Sequence, residues 1–147
     1  MTSSNDRPGI DITIVNAHPR YRLRHAPFRA SVERLLRWKR RSTGAITVIF
    51  VDAPTLLRMN RDFLGHDYHT DVITFPLEAR PLEGEIYIDL DTASAQAKEY
   101  GVRFYDEARR LVIHGTLHLL GYDDATADQR AAMSALEDRF LAHDRNV

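Results

Sequence analysis

The stretch from Arg110 to Asp124 reads RLVIHGTLHLLGYDD, and it decides the fold that we predict for the rest of the chain. Apolar residues fill most of its positions, which predicts a helix buried on nearly all sides. His114 and His118 stand four residues apart in this run, so on a helix that turns by about 100° per residue their side chains project in nearly one direction. Two imidazoles on one helix face can hold one cation.

Gly121 follows the last leucine pair and predicts that the helix ends there through a left-handed C-cap. The turn beyond it would bring Asp123 and Asp124 back toward the histidines. One carboxylate delivered this way completes a three-ligand set, His-x3-His-x5-Asp, and leaves a coordination position for water, as in hydrolytic metal centres. We therefore predict that His114, His118 and Asp124 are the metal ligands.

A structural interpretation of the same residues stays open on spacing alone. His114 and His118 would then be half-buried core histidines, and the acidic pair after them would be solvated turn residues. Burying two histidines in so apolar a helix is costly unless something binds them, which favours the metal. The helix of zinc proteases carries its general-base glutamate directly after the first histidine. Here that residue is Gly115, so proton transfer must come from elsewhere.

The segment from His114 to Asp124 resembles the signature HGxLHLxGYDH of the YbeY family of bacterial metal-dependent endoribonucleases, including its glycine. Two more blocks are similar to that family in the same order, namely Met59-Asn60 with residues 70–76 (TDVITFP), and residues 84–88 (GEIYI). Asp124 stands where the family has its third metal histidine, and Leu64 stands where an arginine is common. An aspartate is a competent ligand, but its charge makes the bound metal a weaker acid.

The resemblance implies a single-strand-specific endoribonuclease that acts in 3′-end maturation of 16S ribosomal RNA and in ribosome quality control. The expected partners are ribosomal RNA and the small ribosomal subunit, with no DNA. We expect one divalent ion per chain, zinc being favoured by mixed nitrogen and oxygen ligands. The ion would either activate a water or polarise a phosphate oxygen. Possible proton carriers are Asp123, Asp71 and Glu85.

Two other functions are compatible with such a site. The chain could be a metal hydrolase that acts on a non-RNA substrate such as a peptide or an amide. It could also be a ribosome assembly or binding factor in which the metal is structural, and the loss of the arginine at Leu64 lends weight to that hypothesis. A metal site in the loop 65–70, which contains His66 and His69, is disfavoured because its histidines lack the i, i+4 order.

Length and composition restrict the class of protein. A chain of 147 residues is long enough for one substantial core, which predicts one domain over residues 1–147. It has no cysteine, so metal ligands must be nitrogen or oxygen. No apolar run reaches the roughly eighteen residues of a membrane span, and the start lacks a signal-peptide core. We expect a cytoplasmic protein without membrane contact, with residues 1–8 disordered.

The charge is unevenly distributed along the chain. Residues 1–41 carry ten Lys or Arg against three acids, although the net charge of the whole is −1. This basic third is a candidate RNA-facing surface, or else a solvated helix face with a mobile arm. Within it, the loop 17–25 combines His18, three arginines and Tyr21. We expect an exposed loop, with contact to bases or phosphates as the alternative.

The periodicity of apolar residues predicts the order β-α-β-α-β-β-α-α-α. We place strands at 10–16, 45–51, 71–75 and 84–90, and helices at 27–41, 53–63, 92–100, 104–120 and 127–141. Asp91 or Thr92 is the expected cap of the third helix, and Thr126 that of the last. This order describes an α+β domain with a small mixed sheet of about four strands, packed by helices, and with the metal site at the end of a buried helix.

Overall fold

Four strands form one mixed sheet in the computed structural model, which describes residues 9–66 and 69–145. They are β1 (Ile10–Asn16), β2 (Gly44–Val51), β3 (Val72–Glu78) and β4 (Leu82–Asp89), in the spatial order β1-β2-β4-β3. β1, β2 and β4 are parallel, whereas β3 pairs with β4 in the antiparallel sense. The nearly all-apolar β2 therefore lies inside the sheet, where both of its faces are covered.

The same residues contain five helices, which are α1 (His25–Trp38), α2 (Ala53–Leu64), α3 (Leu90–Tyr100), α4 (Phe104–Leu119) and α5 (Ala127–Arg145). The predicted order of elements and the α+β class are thus confirmed. Across the described ranges, no helix combines the length and the apolar character that crossing a membrane requires. The prediction for residues 1–8 lies outside the described residues.

Helix α4 lies at the centre of the packing. The main core fills the space between the sheet and helices α1, α3 and α4. On its other side α4 contacts α5, and the two share a second apolar cluster with the end of α1. Helix α2 covers the opposite face of the sheet with a third cluster around Leu56 and Ile73. Because α4 is enclosed by the sheet and α5, its side chains have fixed positions.

The cap of α3 differs from the predicted one. Asp89, and neither Asp91 nor Thr92, is the N-cap: its carboxylate accepts hydrogen bonds from the backbone N–H of Thr92 at 3.0 Å and from the Thr92 hydroxyl at 2.6 Å. The sequence offers two acids that are two residues apart, Asp89 and Asp91, and tertiary contacts assign them different roles. Asp91 instead binds His18 and the backbone N–H of Ala53, at 2.8 and 2.9 Å.

The hairpin between β3 and β4 is tighter than predicted. We expected strands at 71–75 and 84–90, but β3 continues through Pro76 to Glu78 and β4 begins at Leu82. Proline is tolerated here because β3 is an edge strand, whose missing N–H costs no bond within the sheet. The register shifts between Pro76 and Glu78.

The predicted end of α1 also needs correction. Helix α1 ends at Trp38 instead of Arg41, because Arg40 adopts a left-handed backbone with φ of 59°. On α5, Met133, Phe140 and Leu141 are buried and Leu136 is half-buried. The predicted cap of α5 is confirmed, since the Thr126 hydroxyl accepts from the N–H of Gln129 at 3.1 Å.

Candidate metal centre

His114 and His118 lie side by side on the one partly open side of α4. Their ring centroids are 4.7 Å apart and their planes are inclined by 76°. Each side chain keeps about a quarter of its surface exposed, 24% and 25%. The residues between them, Gly115, Thr116 and Leu117, are buried. The apolar helix is thus closed on most sides, as predicted, and the two imidazoles face its opening.

The turn after α4 brings Asp124 to the histidines. Gly121 has a φ of 102°, a conformation that favours glycine, and the N–H of Tyr122 reaches back to the carbonyl of Leu117 at 3.0 Å. Oδ2 of Asp124 then lies 3.4 Å from Nε2 of both histidines. The structure therefore brings the three predicted ligands together, whereas Asp123 is exposed and does not line the cleft.

The donor set fits a divalent ion. One ligand atom from each of His114, His118 and Asp124 lies within 4.8 Å of the other two. Ligands held about 2.1 Å from a tetrahedral ion are about 3.4 Å from one another, which is the separation between the carboxylate oxygen and each imidazole nitrogen. Two imidazoles with one carboxylate are a usual set for zinc, and three protein ligands leave a fourth position open to solvent.

A buried ion pair supports the site from behind. Oε2 of Glu137, on α5, lies 2.6 Å from Nδ1 of His114, and Oε1 accepts a hydrogen bond from Arg110 at 3.1 Å. Burial lowers the pKa of His114, but the hydrogen bond and negative charge of Glu137, with the charges of Asp124 and Asp71, outweigh this effect and leave the pKa raised.

Neither Glu137 nor Arg110 was predicted from the sequence as part of the site. The signal that could have found Glu137 is its position on the apolar face of α5, between Met133 and Phe140 at helical spacing. An acid on a buried face needs a partner on the neighbouring element. The sequence does not say which partner that is.

An open cleft of about 460 Å³ lies in front of the three ligands. Its remaining described lining consists of Asn60, Leu64, His66, Thr70, Asp71, Val72, Ile73 and Thr74. Of the three proposed proton carriers, only Asp71 is in this lining. Glu85 alternates with Gly84 and Ile86, which face α4, and it contacts the Tyr87 hydroxyl on the opposite side of the sheet.

Comparison with known proteins agrees with this geometry. The family model for endoribonuclease YbeY matches residues 14–144. The chain belongs to the endoribonuclease YbeY family. Membership of the YbeY family makes it a hydrolase, and specifically a nuclease.

Individual relatives extend the match over most of the chain. The endoribonuclease YbeY of Salinibacter ruber is 35% identical over 140 residues, which cover 88% of this chain and 89% of that protein. The one from Chlorobaculum tepidum is 50% identical over 101 residues, 68% of this chain and 74% of its own. The solution structure of a Thermotoga maritima protein has a TM-score of 0.64 at 28% identity, and it covers 90% of this chain and 88% of that one.

The glycine of the YbeY motif has a steric reason in this fold. A Cβ on Gly115 would lie 2.6 Å from Cγ2 of Ile86 and 3.3 Å from Cγ2 of Thr74. The residue after the first histidine therefore points into the sheet and not toward the metal site. A protease-like glutamate could neither fit there nor reach the ligands, so the structure explains why this helix is not a protease helix.

The basic third of the chain does not line the cleft. Among the described residues of the lining, none comes from residues 9–41 and none is Lys or Arg. His18, which we expected in an exposed loop, is buried at 1% exposure and is bound to Asp91. A role of His18 in RNA binding is therefore wrong. Arg20, in the same loop, is exposed.

Proposed function

We propose that this chain is a metal-dependent endoribonuclease that cuts single-stranded ribosomal RNA, in 3′-end maturation of 16S RNA and in ribosome quality control. Membership of the YbeY family supports an endoribonuclease of ribosomal RNA processing. The metal dependence is carried by one observation, the convergence of His114, His118 and Asp124 at the mouth of an open cleft. Bacterial ribosomal RNA lies in the cytoplasm, where the enzyme would act with the small subunit.

In this proposal His114, His118 and Asp124 bind one divalent ion, with zinc as the expected metal. When bound, such an ion supplies a Lewis acid for a phosphate oxygen or for the attacking water. The carboxylate of Asp124 supplies one negative charge, which reduces the electrostatic attraction of the site for anions compared with three histidines.

Asp71 is the proton carrier that the geometry supports best. It stands in the cleft lining and its charge acts on His114. Gln96 donates a hydrogen bond to its Oδ2 at a long 3.5 Å, which leaves the other oxygen for a proton. Gly115 and Glu85 are directed away from the cleft.

The open shape of the cleft suits an extended strand. Its floor is β3, an edge strand, and its wall is the end of α2 with the exposed Leu64. Leu64 offers apolar surface to a base or a ribose where an arginine would bind phosphate. We therefore propose single-stranded RNA as the substrate, because an unpaired strand can lie extended along the cleft and bring a phosphate to the three ligands.

The test combines metal content with cleavage. Wild type should carry one equivalent of metal by elemental analysis and cut single-stranded RNA when supplied with zinc, manganese or magnesium. His114→Ala and His118→Ala should lose both properties. The exposed His143 on α5 provides a matched control, and His143→Ala should retain both.

Two results would contradict the proposal in different ways. Metal in wild type without any cleavage of RNA would favour an assembly factor with a structural metal. Equal metal content in wild type and His114→Ala would remove the proposed site itself.

A further inference from the structure

We infer that Glu137 is a positioning residue of the metal centre, which holds His114 in the tautomer that presents Nε2 to the ion. The contact joins two helices, since His114 is on α4 and Glu137 is on α5. The inference rests on the proposed function, because it requires that His114 is a ligand. It adds a residue that takes no part in ligation and acts only through the imidazole.

Both oxygens of Glu137 are used. Its side chain is 8% exposed, with Oε2 at 2.6 Å from Nδ1 of His114 and Oε1 at 3.1 Å from Nη1 of Arg110. The guanidinium donates to Oε1, and because carboxylate oxygens accept hydrogen bonds, Oε2 is the acceptor in the contact with His114. The proton of the His114 contact therefore resides on Nδ1.

A proton on Nδ1 leaves the lone pair of the neutral ring on Nε2. That atom is the one that lies 3.4 Å from Asp124 and faces His118. The opposite tautomer would place an N–H at the position of the ion and prevent ligation. The carboxylate thus selects the ligating nitrogen and fixes the plane of the ring, as carboxylate partners of metal-binding histidines generally do.

Arg110 fixes Glu137 in turn. It precedes His114 by four residues and lies on the same face of α4. Its Nη2 also donates to Asp138 at 2.6 Å, so the guanidinium bridges two successive acids of α5. Asp138 is 69% exposed and makes no contact with His114. It therefore offers a control that alters the same arginine without altering the histidine.

The described surroundings of His118 differ from those of His114. Among the described residues its ion-pair partner is Asp124, and no carboxylate lies behind its ring as Glu137 lies behind His114. Loss of Glu137 should therefore weaken one of the three ligands and leave the other two unchanged. Partners of this kind contribute about 10-fold to 100-fold to metal affinity.

The experiment compares Glu137→Ala and Glu137→Gln with Asp138→Asn. Zinc affinity is measured by competition with a chromophoric chelator, and thermal unfolding of the metal-free proteins verifies that each is folded. We expect Glu137→Ala to bind zinc about 10-fold to 100-fold more weakly. Glu137→Gln should lose less, because an amide oxygen can still accept from Nδ1. Asp138→Asn should bind as wild type does.

A second measurement reports the tautomer directly. Imidazole 15N shifts of metal-free protein, recorded at alkaline pH where the ring is neutral, should show His114 protonated on Nδ1 in wild type and a mixture of tautomers in Glu137→Ala. A purely structural role of Glu137 would leave these shifts unchanged. The tautomer of His114 is measured on wild type alone, so this part of the test does not require that any variant folds.

The outcomes separate this inference from the proposed function. Wild-type His114 protonated on Nε2, or zinc affinity of Glu137→Ala equal to that of wild type, would overturn the positioning role. In either case loss of metal in His114→Ala would leave the proposed site intact. Absence of metal binding by wild type itself would overturn both.

Discussion

Two histidines of this chain each contact a carboxylate from a distant element, yet only one belongs to a candidate site. Nε2 of His18 lies 2.8 Å from Asp91, across 73 positions of sequence. Nδ1 of His114 lies 2.6 Å from Glu137, across 23 positions. The two pairs are alike, since each joins an imidazole nitrogen to a carboxylate oxygen at a similar distance.

The second ring nitrogen distinguishes them. Nδ1 of His18 accepts the backbone N–H groups of Arg20 and Tyr21, at 3.0 and 3.2 Å, and the side chain is 1% exposed. Nε2 of His114 faces Asp124 and the open cleft. A histidine whose two nitrogens are both used by the fold stabilises that fold, whereas a histidine with one nitrogen directed at solvent and at another ligand can bind.

The largest expected effect is on stability and metal content when each of the two histidines is replaced. Replacing His18 should cost more stability, and replacing His114 should cost the metal. His18→Ala should destabilise the metal-free protein by about 2–4 kcal/mol, because a buried side chain leaves a cavity and both Asp91 and the backbone N–H groups of Arg20 and Tyr21 lose a partner. His114→Ala should cost less, about 1–2 kcal/mol, because the Glu137 carboxylate keeps its hydrogen bond from Arg110. Chemical denaturation of metal-free protein measures both.

Metal content should follow the opposite order. His18→Ala, once folded, should retain one equivalent by elemental analysis, and His114→Ala should retain none. If His18→Ala lost the metal while His114→Ala unfolded, it would be wrong to conclude from the second ring nitrogen that His18 stabilises the fold and His114 binds the metal.

A smaller loss of stability and of metal affinity is expected from Gly115→Ala, which displaces α4 and leaves both histidines in place. Gly115→Ala places a methyl group 2.6 Å from Ile86, and such overpacking costs about 1–3 kcal/mol. Better helix propensity recovers at most about 1 kcal/mol of this. Because α4 must shift from the sheet, metal affinity should fall as well.

The control for this prediction is Ser134→Ala, an exposed position on α5. Thermal unfolding and chelator competition compare the two variants. A Gly115→Ala protein that was more stable than wild type, with unchanged metal affinity, would contradict the close packing of Gly115 against Ile86 of β4.

The sequence predicted the parts of the site that local rules determine. Apolar periodicity predicted α4, the i, i+4 spacing predicted that His114 and His118 share a face, and Gly121 predicted the turn that returns Asp124. It could not predict Glu137, because its partner lies on another helix and depends on how α4 and α5 pack.

In the fold, too, the features set by neighbouring residues were predicted, and those set by distant contacts were not. The element order and most helix ends followed from caps and breakers, such as Asp52 and Gly65 around α2. His18 was placed in an exposed loop because nothing near it in sequence indicates burial. The acid that binds it lies on α3, and the choice of Asp89 as the cap of that helix is linked to the use of Asp91 by His18.

A third prediction concerns the charge of the ligands around His114. Asp124→His replaces an anionic donor by a neutral one and restores the pattern HGxLHLxGYDH. With one negative charge fewer, the pH of half-maximal RNA cleavage should move down by about one unit. Cleavage rates between pH 5 and 9 test this, with Asp123→His, outside the cleft, as the control. An upward shift would contradict the assignment of Asp124 as a ligand.

The smallest effect concerns Glu107, a buried acid whose pKa is raised. Glu107, on α4, is 4% exposed. Burial raises its pKa above the ordinary 4.5, Arg110 opposes this, and the charges of Asp71 and Glu137 add to it. A raised pKa means that the folded state binds the proton more tightly, so stability falls as the pH rises above 4.5 through the folded value. Glu107→Gln should therefore be more stable than wild type at pH 7.

The gain of Glu107→Gln at pH 7 should be on the order of 1 kcal/mol or less, and it should disappear below pH 4, where wild type is itself neutral at this position. Denaturation at both pH values measures it, with the exposed Glu99→Gln as the control. Destabilisation at pH 7 that fades below pH 4 would contradict this prediction, because it would mean that a partner holds the Glu107 carboxylate, as Arg110 and His114 hold that of Glu137. The buried acids of α4 and α5 would then form one paired network, and His114 would be supported by more than a single carboxylate.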